Sequence, residues 1–228
     1  FVGWKKAEAV ALLANSIAGD TDLFTALSVD VLAPGERNAD IVKAFHNAEA
    51  ILDMSTSIAV ARKIVCDVGS DARRISLFLT PSGRSLVLLA EDKGRTMPLD
   101  ALEMQYYRAV ANNDRLEKHF QTTGNRTRYG QSCRDITSTL PQNLVALHAA
   151  IGAQAIRNTI NDHNATAVIW QEEGGGKVER TDIELTPVIH HRIESWTVIT
   201  DDGLLQKLGM FRQARLPNET GGVLLGSF

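Results

Sequence analysis

Apolar residues recur along this chain in two patterns, one typical of helices and one typical of strands. Helical spacing predicts a first helix from Trp4 to Ile17, ended by the Gly19-Asp20 pair. Alternation and short apolar runs between turn residues predict strands at 27–32, 50–53, 75–79, 85–90, 167–171 and 178–185. Further helices are predicted at 40–47, 57–68, 99–120, 144–160 and 200–215. This alternation predicts the α/β class, with a mostly parallel sheet and helices on both faces.

Composition narrows the class of protein. Of the 228 residues, 44% are hydrophobic and 22% are charged, which is typical of a globular protein with a core. The net charge of −3 predicts no general attraction to nucleic acid or to anionic membranes. No apolar run approaches the roughly 18–20 residues that span a bilayer, so we expect no membrane insertion. Two distant cysteines, Cys66 and Cys133, predict a reducing, cytoplasmic setting and no disulfide framework.

The opening residues carry neither an initiator methionine nor the apolar core of a secretory signal. We therefore expect the chain to be a fragment of a longer protein. Lys6, in the first turn of the first helix, either binds an anion or is simply solvated. Asp53 ends the strand 50–53, where open α/β sheets bind ligands, and could hold magnesium against nucleotide phosphates. The alternative is that Asp53 caps the helix that begins near Ser57.

Three segments together resemble a known family. The helix opening Gly3-x-x-Lys6-Ala7, the strand and turn 50–57, and Arg62 resemble the latter half of a ThiF-like adenylating domain, the fold of ubiquitin-activating enzymes and their bacterial relatives. The resemblance implies a partial Rossmann-like sheet and a nucleotide loop upstream of this chain. It also implies ATP and magnesium as cofactors, a ubiquitin-like or sulfur-carrier protein as partner, and a protein that could dimerise.

The same resemblance assigns roles to individual residues. The position of Lys6 implies contact with ATP phosphates, and Asp53 and Arg62 fit the family's strand-end pattern of cofactor-binding residues. The second aspartate of that pattern, which usually holds magnesium, falls on Thr56 in this chain. Asp53 is therefore the candidate magnesium ligand.

Cys133 is the candidate nucleophile. It lies in a polar stretch, 121–134, predicted to be an exposed loop, with Arg134 beside it and a helix start nearby. A thiol in such surroundings has a lowered pKa and reacts as thiolate, although an inert surface thiol is the alternative. Ubiquitin-activating enzymes carry a similar cysteine that accepts the modifier's C-terminus as a thioester. Cys66 is predicted to be a core residue of its helix.

The end of the chain resembles a second family. The segment 216–226, Leu-Pro-Asn-Glu-Thr-Gly-Gly-Val-Leu-Leu-Gly, follows a predicted helix and contains an apolar run, 223–225, predicted to be a buried strand. It resembles the opening of a JAB/MPN (JAMM) metallopeptidase domain. The resemblance makes Glu219 the catalytic acid/base for a zinc-bound water, and places the zinc ligands, a His-x-His pair and an aspartate, beyond this chain.

Three other features are predicted to carry no chemistry. His190-His191 lacks a third ligand at metal spacing and is assigned to a strand or loop surface. Gly174–Lys177 lacks the spacing of a phosphate loop and is assigned to a hairpin turn. Arginines form a modest basic patch, predicted to be a solvated surface since no aromatic platform accompanies it. They are Arg73, Arg74, Arg126, Arg128 and Arg134.

The sequence thus predicts three regions: 1–98 from the adenylating domain, 99–195 as its remainder or a connector, and 196–228 as the start of the peptidase domain. The parent protein is expected to be a bacterial enzyme that activates a ubiquitin-like protein and carries a zinc isopeptidase. The isolated chain is expected to be inactive, since each site lacks essential parts. Two alternatives stay open: a non-catalytic α/β module that binds a ubiquitin-like or sulfur-carrier protein, and a sulfur-carrier activator without conjugation.

Overall fold

The computed structural model describes residues 3–55, 57–121, 140–218 and 221. The helices are α1 (Lys6–Ala18), α2 (Asn38–His46), α3 (Ile58–Cys66), α4 (Leu99–Ala111), α5 (Gln142–Asn161) and α6 (Asp202–Arg215). The strands are β1 (Ala50–Asp53), β2 (Arg73–Leu79), β3 (Ser85–Ala90), β4 (Thr166–Gly174), β5 (Lys177–Asp182), β6 (Val188–Ile193) and β7 (Trp196–Asp201). Among the described residues, no helix combines the length and the apolarity needed to cross a bilayer.

The first five strands form one sheet in the order β1-β2-β3-β4-β5. β1 and β2 are parallel, and the pairings β2–β3, β3–β4 and β4–β5 are antiparallel. The α/β class with a Rossmann-like, helix-flanked sheet is confirmed. The expected mostly parallel sheet is wrong, because two tight turns reverse the chain: 80–84 joins β2 to β3, and the glycine turn 174–176 joins β4 to β5.

Helices cover both faces of this sheet. On one face, Val87 and Leu89 of β3 belong to a buried cluster with Leu102 and Tyr106 of α4. On the other face, Leu88 and Ala90 cluster with residues of α5 such as Ala155 and Ile156. Successive side chains of a strand point to opposite faces, so β3 lies at the centre of two apolar layers and is buried at all six positions.

β6 and β7 form a separate antiparallel hairpin that leads into α6. The side chain of Asp201 is the N-cap of α6, accepting the Leu204 N–H at 3.0 Å. It also accepts hydrogen bonds from Arg108 of α4 at 2.5 Å and from the Thr186 hydroxyl at 2.6 Å. Burial alone would raise the pKa of Asp201, but these hydrogen bonds hold it below its ordinary value. One carboxylate therefore ties the hairpin and α6 to α4, which packs on the main sheet.

Most of the predicted elements agree with the structure within a few residues. Two do not: residues 27–32 form no strand, and α4 ends at Ala111, well before the predicted Phe120. The segment 27–32 alternates but has no neighbouring strand to pair with, whereas Asn112 and Asn113 favour ending the helix. The β6–β7 hairpin was not predicted as two strands. The predicted strand 223–225 lies outside the described residues.

Candidate functional site

Asp53 lies at the carboxyl end of β1 and is only 5% exposed. Its Oδ1 accepts the Ser55 N–H at 2.9 Å, while its Oδ2 has no partner among the described residues. The N-cap of α3 is Ser57, whose hydroxyl accepts the Val60 N–H at 3.4 Å. The alternative that Asp53 caps this helix is therefore wrong. The carboxylate instead holds the turn after β1, and its second oxygen accepts from no described residue.

Arg62, the second candidate cofactor-binding residue, is held by an ion pair. Its Nη2 lies 2.7 Å from Oε2 of Glu103 on α4, and both side chains are largely buried. The other Glu103 oxygen accepts the Tyr107 hydroxyl at 3.1 Å. Burial and the Glu103 carboxylate raise the pKa of Tyr107 to about 12. Arg62 therefore links α3 to α4, and it would have to leave Glu103 to reach a phosphate.

Lys6 is exposed at the first residue of α1. Within 3–55 and 57–121, no ion pair or hydrogen bond joins Lys6, Asp53 and Arg62 to one another. The described residues also contain no group of three or more His, Cys, Asp or Glu side chains arranged for a metal ion. A magnesium ion that bridges a nucleotide's phosphates needs only one or two carboxylates, so Asp53 with its open oxygen fits that role.

The two candidate catalytic residues, Cys133 and Glu219, lie outside the described residues, as does Thr56. Cys66 is described, and the prediction that it is a core residue is wrong. It is the last residue of α3 and its thiol is exposed. The apolar face of this short helix is buried through Ile64, so Cys66 lies beyond that face.

The prediction that Arg73 and Arg74 form a solvated basic patch is also wrong, because both are buried. The Arg73 guanidinium donates to the main-chain oxygens of Glu91 at 2.5 Å, Thr159 at 2.5 Å and Asn164 at 2.8 Å, and also to that of Asp162. These oxygens include the unpaired carbonyls at the end of α5. The remaining arginines of the predicted patch lie outside the described residues.

Arg74 acts in the same way on the end of α3. Its guanidinium donates to the carbonyl oxygens of Ile64 at 2.8 Å and Val68 at 2.6 Å. Burial lowers its pKa, although a guanidinium stays charged at neutral pH. The two buried arginines thus satisfy the carboxyl ends of two helices and occupy structural positions, away from any open surface.

A second feature of this part of the molecule is a cleft of about 480 Å³ at the carboxyl end of the sheet. β1, β2 and β4 all run toward this end, since β3 is antiparallel to both of its neighbours. Asp53 pairs with Ser76, which is three residues before the last residue of β2. Asp53 therefore lies about 10 Å from the end of β2, measured along the strand. The cleft is lined by Ser82, Arg84, Ser85, Asp114, Arg115, Glu117, Lys118, His119, Gln171, Glu172 and Glu173.

The segment that carries Cys133 is bracketed by this cleft. Lys118 and His119 line it just before residues 122–139, which are outside the description. Leu140 follows that segment and contacts the turn between β2 and β3. A Cβ atom on Gly83 would lie 2.8 Å from Leu140 Cδ2. The described residues that precede and follow 122–139 therefore lie beside the cleft.

Two buried histidines lie near the cleft. His148 Nε2 is 3.1 Å from the Arg84 carbonyl oxygen, which can only accept, so Nε2 carries the hydrogen and Nδ1 is an acceptor. His119 Nε2 is 2.8 Å from the Tyr106 hydroxyl. The Nδ1 atoms of both rings are buried and have no hydrogen-bond partner among the described residues. Burial lowers the pKa of both, that of His119 to about 4.

His119 should make the fold sensitive to acid. Its pKa is about 4 when folded and about 6.5 in an unfolded chain, so between these values only the unfolded chain binds the proton. The stability that the neutral His119 contributes should thus be complete above pH 6.5 and should decline as the pH falls toward 4. The His119 contribution from pH 7 to pH 5 is about 2 kcal/mol of unfolding free energy.

Urea unfolding of wild type and His119→Gln at pH 7, 6 and 5 checks this expectation. The variant should lose about 2 kcal/mol less than wild type over that range. His46→Gln, which changes an exposed histidine of α2, serves as the control. Its unfolding free energy should fall between pH 7 and pH 5 by the same amount as that of wild type. If His119→Gln lost as much unfolding free energy as wild type between pH 7 and pH 5, His119 would titrate normally in the folded state.

No protein-family model matches the chain, and no curated protein matches it significantly. Function must therefore be argued from the site.

Sequence reasoning identified Asp53 at its strand end but missed the cleft, which joins the turn 80–84, the residues after α4 and the end of β4. No local motif marks that juxtaposition. Of the two alternatives for His190 and His191, a strand or a loop, the structure shows a strand: both lie in β6, and His191 Nε2 is 2.8 Å from the Thr200 hydroxyl.

Proposed function

We propose that this chain is part of a ThiF-like enzyme that activates the C-terminal glycine of a ubiquitin-like or sulfur-carrier protein, using ATP and magnesium. The observation that carries the proposal is Asp53, a buried carboxylate with one open oxygen at the carboxyl end of the parallel pair β1–β2. Open α/β sheets bind nucleotides beyond the carboxyl ends of such strands. Asp53 would hold magnesium there, and the metal would neutralise phosphate charge.

The proposed reaction has two steps. The terminal carboxylate of the modifier attacks the α-phosphorus of ATP, and pyrophosphate leaves with the electron pair of the broken P–O bond. The thiolate of Cys133 then attacks the carbonyl carbon of the acyl-adenylate and displaces AMP, forming a thioester. Lys6 is proposed to contact the phosphates. Arg62 would contribute only after exchanging Glu103 for a phosphate.

Two further observations support a role for the cysteine. The described residues His119 and Leu140, on either side of 122–139, lie beside the cleft, and the cleft opens at the same end of the sheet as Asp53. Cys133 is proposed to reach the adenylate from this side of the sheet. Tethering a nucleophile raises its effective concentration at the reacting carbonyl.

The proposal extends to a fused peptidase. This part of the proposal is supported by the resemblance of residues 216–226 to the start of a JAB domain. Glu219 is the proposed acid/base. The preceding helix α6, capped by Asp201, agrees with the predicted helix 200–215. Removal of the modifier by a zinc isopeptidase would then reverse the conjugation that the first domain begins.

The thioester step is tested with the full-length gene product, ATP, magnesium and a panel of ubiquitin-like and sulfur-carrier proteins that end in glycine. We expect an adduct on a non-reducing gel that dithiothreitol removes, and none with Cys133→Ala. Cys66→Ala is the matched control, because it removes the other cysteine of the chain, an exposed one, and should keep the adduct. An adduct retained in Cys133→Ala would remove Cys133 from the site.

A non-catalytic docking module is the second candidate, and exposed apolar side chains near the N-terminus favour it. Val10, Leu13 and Ile17 of α1 and Phe24 after it are all largely exposed. Clustered exposed apolar residues mark interaction surfaces. This candidate predicts that a ubiquitin-like protein binds without ATP and that binding, measured calorimetrically, weakens with Leu13→Ser. Binding that requires ATP would favour the enzyme.

A further inference from the structure

The cleft at the carboxyl end of the sheet has a charge pattern of its own. Four carboxylates line it, Asp114, Glu117, Glu172 and Glu173, against three basic side chains, Arg84, Arg115 and Lys118. Two of the three bases are engaged: Arg84 lies 3.1 Å from Glu172, and Arg115 lies 2.7 Å from Glu179, which is outside the lining. Glu173 is likewise paired, with Lys177 outside the lining at 2.5 Å. The described lining therefore sets four carboxylates against three basic side chains.

Glu172 is the most constrained of these carboxylates. Its side chain is only 9% exposed, and its one hydrogen-bonding partner among the described side chains is Arg84, through Oε2. Oε1 accepts no hydrogen bond from the described residues. A carboxylate oxygen to which no described residue donates can accept from a group that brings N–H donors and positive charge.

His119 provides a second buried group in the same cleft. It is 3% exposed, lines the cleft, and its Nδ1 has no partner among the described residues. Ser82 and Ser85 are also buried residues of the lining. Polar groups that are buried around an open cavity, and that leave hydrogen-bonding capacity unused, are typical of ligand sites.

We propose that this cleft binds a cationic N–H donor, the guanidinium or ammonium group of a basic peptide side chain or of a free polyamine, with Glu172 as its principal acceptor. The volume of about 480 Å³ accommodates such a side chain together with part of its backbone. This inference does not depend on the proposed adenylation, because it uses only the lining residues.

The test is an NMR titration of the full chain with N-acetyl-arginine methylamide. Its neutral isostere N-acetyl-citrulline methylamide and the polyamine spermidine are titrated in parallel. We expect saturable shifts of the amide signals of the cleft residues with the arginine compound and none with citrulline. Spermidine binding more tightly than arginine would assign the site to free polyamines, and weaker binding would assign it to peptides; both support a cation site.

Glu172→Gln should weaken arginine binding about tenfold, the usual effect of removing one charge-assisted hydrogen bond. Asp182→Asn is the matched control, since it removes the same charge from an exposed position on β5 outside the cleft. Glu117→Gln, at an exposed position in the lining, tests the same site if Glu172→Gln does not fold. It should weaken arginine binding about two- to threefold. Equal binding of citrulline, or unchanged affinity in both cleft variants, would overturn the proposal.

Discussion

Glu91→Ala is expected to destabilise the fold by about 3–5 kcal/mol, the usual cost of removing one partner of a buried ion pair while the other stays buried. Glu91 is fully buried. Its Oε2 accepts the Arg95 Nε–H at 2.8 Å and the Arg74 N–H at 3.1 Å, while Oε1 accepts the Leu99 N–H at the start of α4. Alanine would leave the Arg95 Nε–H and two main-chain N–H groups without this acceptor. It would also remove the counter-ion of the buried Arg74 guanidinium, 3.9 Å away.

Thermal and urea unfolding measure this effect. For a chain of this length the loss corresponds to a fall in melting temperature of about 10 °C. Glu179→Ala is the matched control, because it deletes an equivalent carboxylate from a surface ion pair with the exposed Arg115. It should cost under about 1 kcal/mol. Similar losses in the two variants would show that Glu91 is no more important than a surface carboxylate.

Asp53→Asn is expected to lower ATP–pyrophosphate exchange by the full-length gene product about a hundredfold, if Asp53 holds magnesium as proposed. Asparagine preserves the size of the side chain and its acceptor for the Ser55 N–H, so the turn after β1 should persist. What it removes is the charge that would bind the metal. The loss should therefore appear in catalysis, with little change in melting temperature.

Asp67→Asn controls for the removal of a carboxylate, since Asp67 is exposed at the carboxyl end of α3. It should leave exchange unchanged. Raising the magnesium concentration should partly restore Asp53→Asn if the defect is metal affinity. A variant that exchanges pyrophosphate at the wild-type rate would exclude Asp53 as a metal ligand.

Local patterns in the sequence predicted most of the fold. The strand 50–53 agrees with β1, and the helix 200–215 agrees with α6. The hairpin turn at Gly174–Lys177 was also predicted, yet the sheet was expected to be mostly parallel. Strand-helix-strand alternation dominated that inference, although each tight turn by itself requires antiparallel neighbours.

The missed features depend on contacts between residues far apart in sequence. Arg73 and Arg74 have the composition of a surface patch, but the ends of α3 and α5 provide carbonyl oxygens that pair with them in the interior. The cleft likewise combines residues 82–85, 114–119 and 171–173. Periodicity describes which face of one element is buried, and it contains no information about which elements meet.

The most direct measurement of the central claim is ATP–pyrophosphate exchange by the full-length gene product, with and without a glycine-ending ubiquitin-like or sulfur-carrier protein. We predict exchange that requires ATP, magnesium and the carrier protein together, and that is lost when the carrier's terminal glycine is deleted. Absence of exchange with every carrier of the panel, or exchange that proceeds equally without a carrier, would contradict the account.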